Sequence, residues 1–158
     1  MKNFRNIIIT LFGVIFLYSC GYKIKNSSLD NNFNITNISM AGENRINYSI
    51  KNKLLLLNNS QSSNLLSLNI NTKKNRTIKN KNENNEITDY QLTLNSNITI
   101  NFVNKTSVKN LRVTETGSYK VSKYRLDTLN NEKKIIEIMS DNITKKISNQ
   151  IADTLNDN

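Results

Sequence analysis

Leu66-Ser67-Leu68-Asn69-Ile70, followed by Tyr90-Gln91-Leu92-Thr93-Leu94 and Ile98-Thr99-Ile100-Asn101-Phe102, decides the fold of this chain. Apolar and polar side chains alternate strictly in these stretches, the pattern of strands with one buried face. Between them Asn82 to Glu86 reads as the turn of a hairpin. A slip of one residue would send every apolar side chain of a strand into water, so the register is constrained. It predicts Ile70 opposite Ile98, Leu68 opposite Ile100, Leu66 opposite Phe102 and Ile78 opposite Tyr90. A third alternating run, Leu111, Val113, Tyr119 and Val121, follows, with Gly117 read as a bulge.

Outward from the hairpin the pattern changes period. Upstream, Phe33 and Ile35 alternate with Asn34 and Thr36 as a short strand, and Ala41-Gly42-Glu43-Asn44 reads as a turn in which Asn44 caps a helix. Ile46, Ile50, Leu54 and Leu57 then mark one helical face, ending near Asn58. Downstream, Ile135, Met139, Ile143, Ile147, Ile151 and Leu155 recur every four residues, widened by Ile136 and Ala152. A strict four-residue repeat drifts by about 40° per step at 3.6 residues per turn, so this stripe winds around its helix and suits a twisted sheet. The prediction is an α+β two-layer sandwich, with two helices on one face of a mostly antiparallel four-stranded sheet.

The N-terminus carries a different kind of information. Lys2 and Arg5 precede an apolar run from Ile7 to Leu17, and Leu17-Tyr18-Ser19-Cys20 places the chain's one cysteine where a lipoprotein signal ends. The run is short against the roughly 20 residues of a membrane-crossing helix. The expected organisation is a cleaved signal at 1–19, a lipid-bearing Cys20 with a tether through residue 32, and one domain over 33–158. Two or more acyl chains anchor stably where one does not, at roughly 0.8 kcal/mol per buried methylene.

Composition narrows the chemistry. The chain carries 22 Lys and Arg against 12 Asp and Glu, a formal charge of +10 that loss of Lys2 and Arg5 with the signal lowers to +8. Such a charge favours anionic partners. For an exported, lipid-anchored protein those are lipid phosphates and not nucleic acid. There is no histidine, and the four glycines are scattered. Imidazole-based triads, Cys/His metal sites and phosphate-cradling glycine loops are therefore excluded. The expectation is a non-enzyme without metal or cofactor.

Cys20-Gly21-Tyr22, the short strand and helix, the long hairpin containing Asp89-Tyr90-Gln91-Leu92, and the terminal Asn149-Gln150-Ile151-Ala152-Asp153-Thr154-Leu155 together resemble LptE, the lipopolysaccharide-assembly lipoprotein family. The chain departs from that pattern in lacking proline, in its Asn-rich loops and in Tyr18. The resemblance implies a two-layer α/β protein on the periplasmic side of the outer membrane, plugging an LptD-like β-barrel, supporting its assembly and binding lipopolysaccharide. Gly21 after Cys20 agrees with outer-membrane sorting as the lipoprotein pattern is read. An auxiliary periplasmic lipoprotein of a transport complex, or a binding module with no barrel partner, is the alternative.

Basic residues of the hairpin are the candidate lipid contacts. Lys74 and Arg76 continue the core-facing parity of Leu66, Leu68 and Ile70, while Lys73, Lys79 and Lys81 line the other side. Arg76 is suited to bidentate phosphate binding. Arg112 and Lys120 are further candidates on the neighbouring strand. The competing reading of these charges is a solvated tip that keeps strand edges from aggregating.

Overall fold

The computed structural model describes residues 32–103 and 107–157. The signal, Cys20 and the tether up to residue 31 lie outside the described residues. Element order is β1 (Asn34–Gly42), α1 (Asn44–Leu56), β2 (Leu65–Lys81), β3 (Ile87–Phe102), β4 (Ser107–Lys120) and α2 (Arg125–Asn156). The sheet runs β1-β2-β3-β4. β1 pairs parallel with β2 through the α1 crossover, and the other neighbours are antiparallel. This is the expected two-helix, four-stranded sandwich. Among the described residues no helix is long and apolar enough to cross a membrane.

The hairpin register is the one that the alternation predicts. Leu66 pairs with Phe102, Leu68 with Ile100, Ile70 with Ile98 and Ile78 with Tyr90. Its turn is held by Asn82, whose side-chain oxygen accepts from the Asn84 and Glu86 amides at 3.0 and 2.9 Å, with Asn85 at φ 65°. Asn tolerates that left-handed conformation better than most residues. Leu66, Leu68, Ile70, Leu92, Leu94, Ile98 and Ile100 are all buried, and the stripe Met139, Ile143, Ile147 and Ile151 of α2 closes over them.

Three local expectations are corrected. Asn44 does not cap α1: Glu43 is the N-cap residue, its carbonyl accepting from Ile46 and Asn47, and no side chain caps the helix. Gly42 turns the chain at φ +83°, leaving the Glu43 amide to donate to the Thr72 carbonyl at 2.9 Å. Gly117 is no bulge either, because β3 and β4 stay in register from Asp89–Lys120 to Phe102–Ser107. The glycine instead lets α2 approach, since a Cβ there would stand 2.8 Å from Ile135 Cγ2 and 3.2 Å from Met139 Sδ. Gly117→Val should therefore cost about 1–3 kcal/mol by overpacking. A lowered urea midpoint at unchanged m-value would register it. Val121, read as part of the third strand, lies past its end and is exposed.

The helix α2 begins ten residues before the apolar stripe, at Arg125. Its inward face also holds Ser140 and Thr144, whose hydroxyls donate to the carbonyls four residues back at 2.8 Å. That internal satisfaction lets polar side chains sit in a buried stripe. Two inward carboxylates fasten α2 to β4. Glu115 accepts from Lys146 at 2.6 Å and from Asn142 at 3.1 Å, and Glu132 accepts from the Tyr119 hydroxyl at 3.1 Å.

One consequence of the topology positions the site. The last β1–β2 pair is Gly42–Thr72, and α1 starts where β1 ends. Beyond Thr72, β2 continues to Lys81 with β3 alone beside it in the sheet.

Candidate functional site

Beside this stretch lies a cleft of ≈ 1100 Å³ between the start of α1, β2 and the first turns of α2. Lys74 and Arg76 supply its cationic floor, and Arg45 and Lys133 stand at its walls. Ile46, Leu126, Leu129 and Ile136 are its apolar lining. Leu126 and Leu129 are 73% and 48% exposed, unusual for large apolar side chains on a helix that covers a core.

Lys74 and Arg76 sit there because parity directs them inward, next to the buried Leu94 and Leu92. They are not open to solvent alone, for Glu132 of α2 reaches down between them. Lys74 Nζ lies 3.1 Å from Glu132 Oε1, and Arg76 Nη1 lies 3.8 Å from Oε2. The guanidinium also lies over the Tyr90 ring, 4.7 Å from its centroid, and Tyr90 in turn packs against Tyr119 at 5.7 Å. The Tyr119 hydroxyl beside Arg76 raises the guanidinium pKa further, so its charge is permanent.

Burial holds the Tyr119 phenol above its ordinary value of 10.0, with the Glu132 carboxylate adding to the effect against Arg76. A folded-state pKa above the unfolded one means that the unfolded phenol ionises first. Its contribution to stability is then complete below about pH 10 and is lost as pH rises through the folded value. Tyr119→Phe should flatten the alkaline loss of stability, which urea midpoints at about pH 9 and about pH 11 would measure.

The other predicted cations are on the opposite face or at the tip. Lys73 stands beside Asn95; Lys79 donates to Ser118 Oγ at 3.1 Å; Lys81 donates to Asn85 Oδ1 at 2.8 Å in the turn. Arg112 donates to Asn97 Oδ1 at 3.1 Å, and Lys120 pairs across from Asp89. Hydrogen bonds from Thr88 and then Asn80 hold the Asp89 carboxyl below its ordinary value, helped by Lys120 and Lys79. The structure thus brings Lys74 and Arg76 together and separates them from the rest. Among the described residues no three His, Cys, Asp or Glu side chains gather in an arrangement that could hold a metal ion.

Glu132, Arg45, Lys133, Leu126 and Leu129 escaped the sequence reading. Glu132 had a signal, since it stands three, four and seven residues before Ile135, Ile136 and Met139 and so continues the inward stripe as a charge. Leu126 and Leu129 had none, lying outside the strict repeat.

The uncovered face of the sheet is a second surface. From Ser67 to Lys79 on β2, Asp89 to Asn101 on β3 and Asn110 to Lys120 on β4, every outward position is Asn, Gln, Ser, Thr, Lys, Arg or Asp. Register aligns them in rows such as Lys73–Asn95–Thr114 and Asn71–Asn97–Arg112. Cross-strand bonds tie several of them, including Thr99 to Asn110 at 3.0 Å and Thr114 to Asn95 at 2.9 Å.

No family model matches the chain, and no curated protein matches it by sequence. Solved structures share its architecture. It is similar to the rare lipoprotein B of Shewanella oneidensis, with a TM-score of 0.57 at 12% identity over 77% of this chain and 97% of that one. A provisionally named lipoprotein from Caulobacter crescentus gives 0.55 at 13%, over 81% and 93%. An uncharacterized lipoprotein B from Nitrosomonas europaea gives 0.50 at 11%, over 76% and 84%. At such identities the likeness is one of fold: this chain has the fold of those three bacterial proteins.

Proposed function

We propose that this chain is an outer-membrane lipoprotein, anchored through Cys20 and facing the periplasm, that plugs a large β-barrel of the lipopolysaccharide export machinery and binds lipopolysaccharide during its delivery. The observation that carries this reading is the outward face of β2, β3 and β4, polar over residues 67–79, 89–101 and 110–120. The lumen of an outer-membrane barrel is lined by polar side chains, so a protein seated within it needs a broad hydrogen-bonding surface, not an apolar one. The fold shared with proteins named as lipoproteins and the Leu17-Tyr18-Ser19-Cys20 sequence support the anchor. Lys74 and Arg76 provide charge for an anionic lipid, and Leu126, Leu129 and Ile136 in the same cleft provide contacts for its chains. The chemistry is binding and scaffolding, with no bond made or broken.

Purification of the tagged full chain from outer membranes in non-denaturing detergent tests the proposal. A stoichiometric β-barrel partner is expected; recovery with an inner-membrane transporter and no barrel contradicts it. The anchor has its own test. Cys20→Ala is expected to abolish labelling by a radioactive fatty acid, and persistent labelling would remove Cys20 as the attachment site.

A further inference from the structure

Glu132 occupies the place where an anionic ligand would pair with Lys74 and Arg76. Its carboxylate lies 3.1 Å from Lys74 Nζ and 3.8 Å from Arg76 Nη1, and it is the more enclosed partner, with 13% of its side chain exposed against 30% and 52%. A phosphate and the Glu132 carboxylate would compete for the two cations, because like charges brought to one site repel. We infer that Glu132 is a built-in competitor for this anion site, so that a bound phosphate displaces it and loosens the first turns of α2 that carry it. The inference rests on the proposed lipid binding and adds its regulation.

Two features favour displacement. The Arg76–Glu132 separation exceeds hydrogen-bond length, so the guanidinium fork is under-used by Glu132 and available for a bidentate phosphate. The start of α2 is also lightly held. Thr128 bonds the Ser122 amide at 2.9 Å, and Asn131 donates to the Lys120 carbonyl at 3.1 Å and to Ser122 Oγ at 3.3 Å. Apolar burial begins only later, at the partly buried Ile135 and Ile136 and the fully buried Met139. A segment fastened by a few exposed or partly buried polar contacts, with little apolar burial, opens at lower free energy than the packed remainder of the helix. Leu126 and Leu129, which line the cleft, would then be covered by the alkyl chains of the incoming lipid.

The test compares the full lipidated chain with its Glu132→Gln and Asp153→Asn variants in nonionic detergent. Each is titrated with lipopolysaccharide and, separately, with phosphatidylglycerol. Asp153, exposed near the far end of α2 and outside the cleft, controls for the change in net charge. Glu132→Gln is expected to bind about five-fold tighter or more, the equivalent of roughly 1 kcal/mol for one partly exposed ion pair, whereas Asp153→Asn changes little. Hydrogen exchange on the parent protein gives a second readout that needs no variant. Ligand should accelerate exchange over residues 125–134, and Glu132→Gln should exchange fast there without ligand. Equal affinities for the two variants, or protection of 125–134 on binding, would overturn the inference. Tighter binding of both lipids by Glu132→Gln would support the competition whichever lipid supplies the phosphate. Binding of neither lipid by any of the three proteins overturns both.

Discussion

Ile143→Asp is expected to destabilise the domain by about 4 kcal/mol or more, a large part of the roughly 5–15 kcal/mol that a domain of this kind has in total. Ile143 is fully buried at the centre of the α2 stripe. The substitution removes the free energy of burying a branched aliphatic side chain, about 1.5–3 kcal/mol. It also places a carboxylate where no cation is provided, and such a group must either remain charged without a partner or take up a proton. Lys145, two residues on and exposed, should accept the same Asp within about 0.5 kcal/mol. Urea titrations of the two variants measure the contrast, and coincident midpoints would show that α2 covers the sheet with another face.

The second large effect concerns binding. Lys74→Gln together with Arg76→Gln is expected to weaken lipopolysaccharide binding about a hundred-fold, taking roughly 1.5 kcal/mol for each lost charge-assisted contact. Amides are preferable to Glu at these positions, because charge reversal would set two carboxylates against Glu132 and disturb α2 as well as the ligand. Lys133 lines the same cleft and is unsuitable as a charge control; Lys134 and Lys145, both exposed on α2, are suitable. Binding by the parent should also fall with salt, since exposed charges are screened over about 8 Å at physiological ionic strength. The double variant should lose most of that dependence. Equal affinities for the double variant and the Lys134→Gln/Lys145→Gln control would remove Lys74 and Arg76 from the binding site.

The sheet was legible in the sequence because alternation leaves one register that buries Leu66, Leu68, Ile70, Ile98 and Ile100 together. The α2 stripe was legible for the same reason at a different period. Local features set by contacts between distant segments were not. Gly117 resembles a bulge in isolation, and only the approach of Ile135 and Met139 gives its small size a purpose. The first ten residues of α2 carry no apolar repeat, since polar bonds and the Glu132 contacts hold them, and a pattern search ends at Ile135. The site was half visible. Parity picked out Lys74 and Arg76 as inward charges, but the carboxylate between them comes from an element more than fifty residues later, and no spacing rule connects the two.

The most direct test of the barrel reading is photocrosslinking in intact cells from position 95. Asn95 is exposed in the middle of the polar face, paired with Lys73 on one side and Thr114 on the other. With a benzophenone amino acid in its place, the full lipidated chain should give one dominant adduct with a large outer-membrane β-barrel protein. An adduct with inner-membrane components alone, or none despite a folded and lipidated protein, would contradict the seating of this face against a barrel wall.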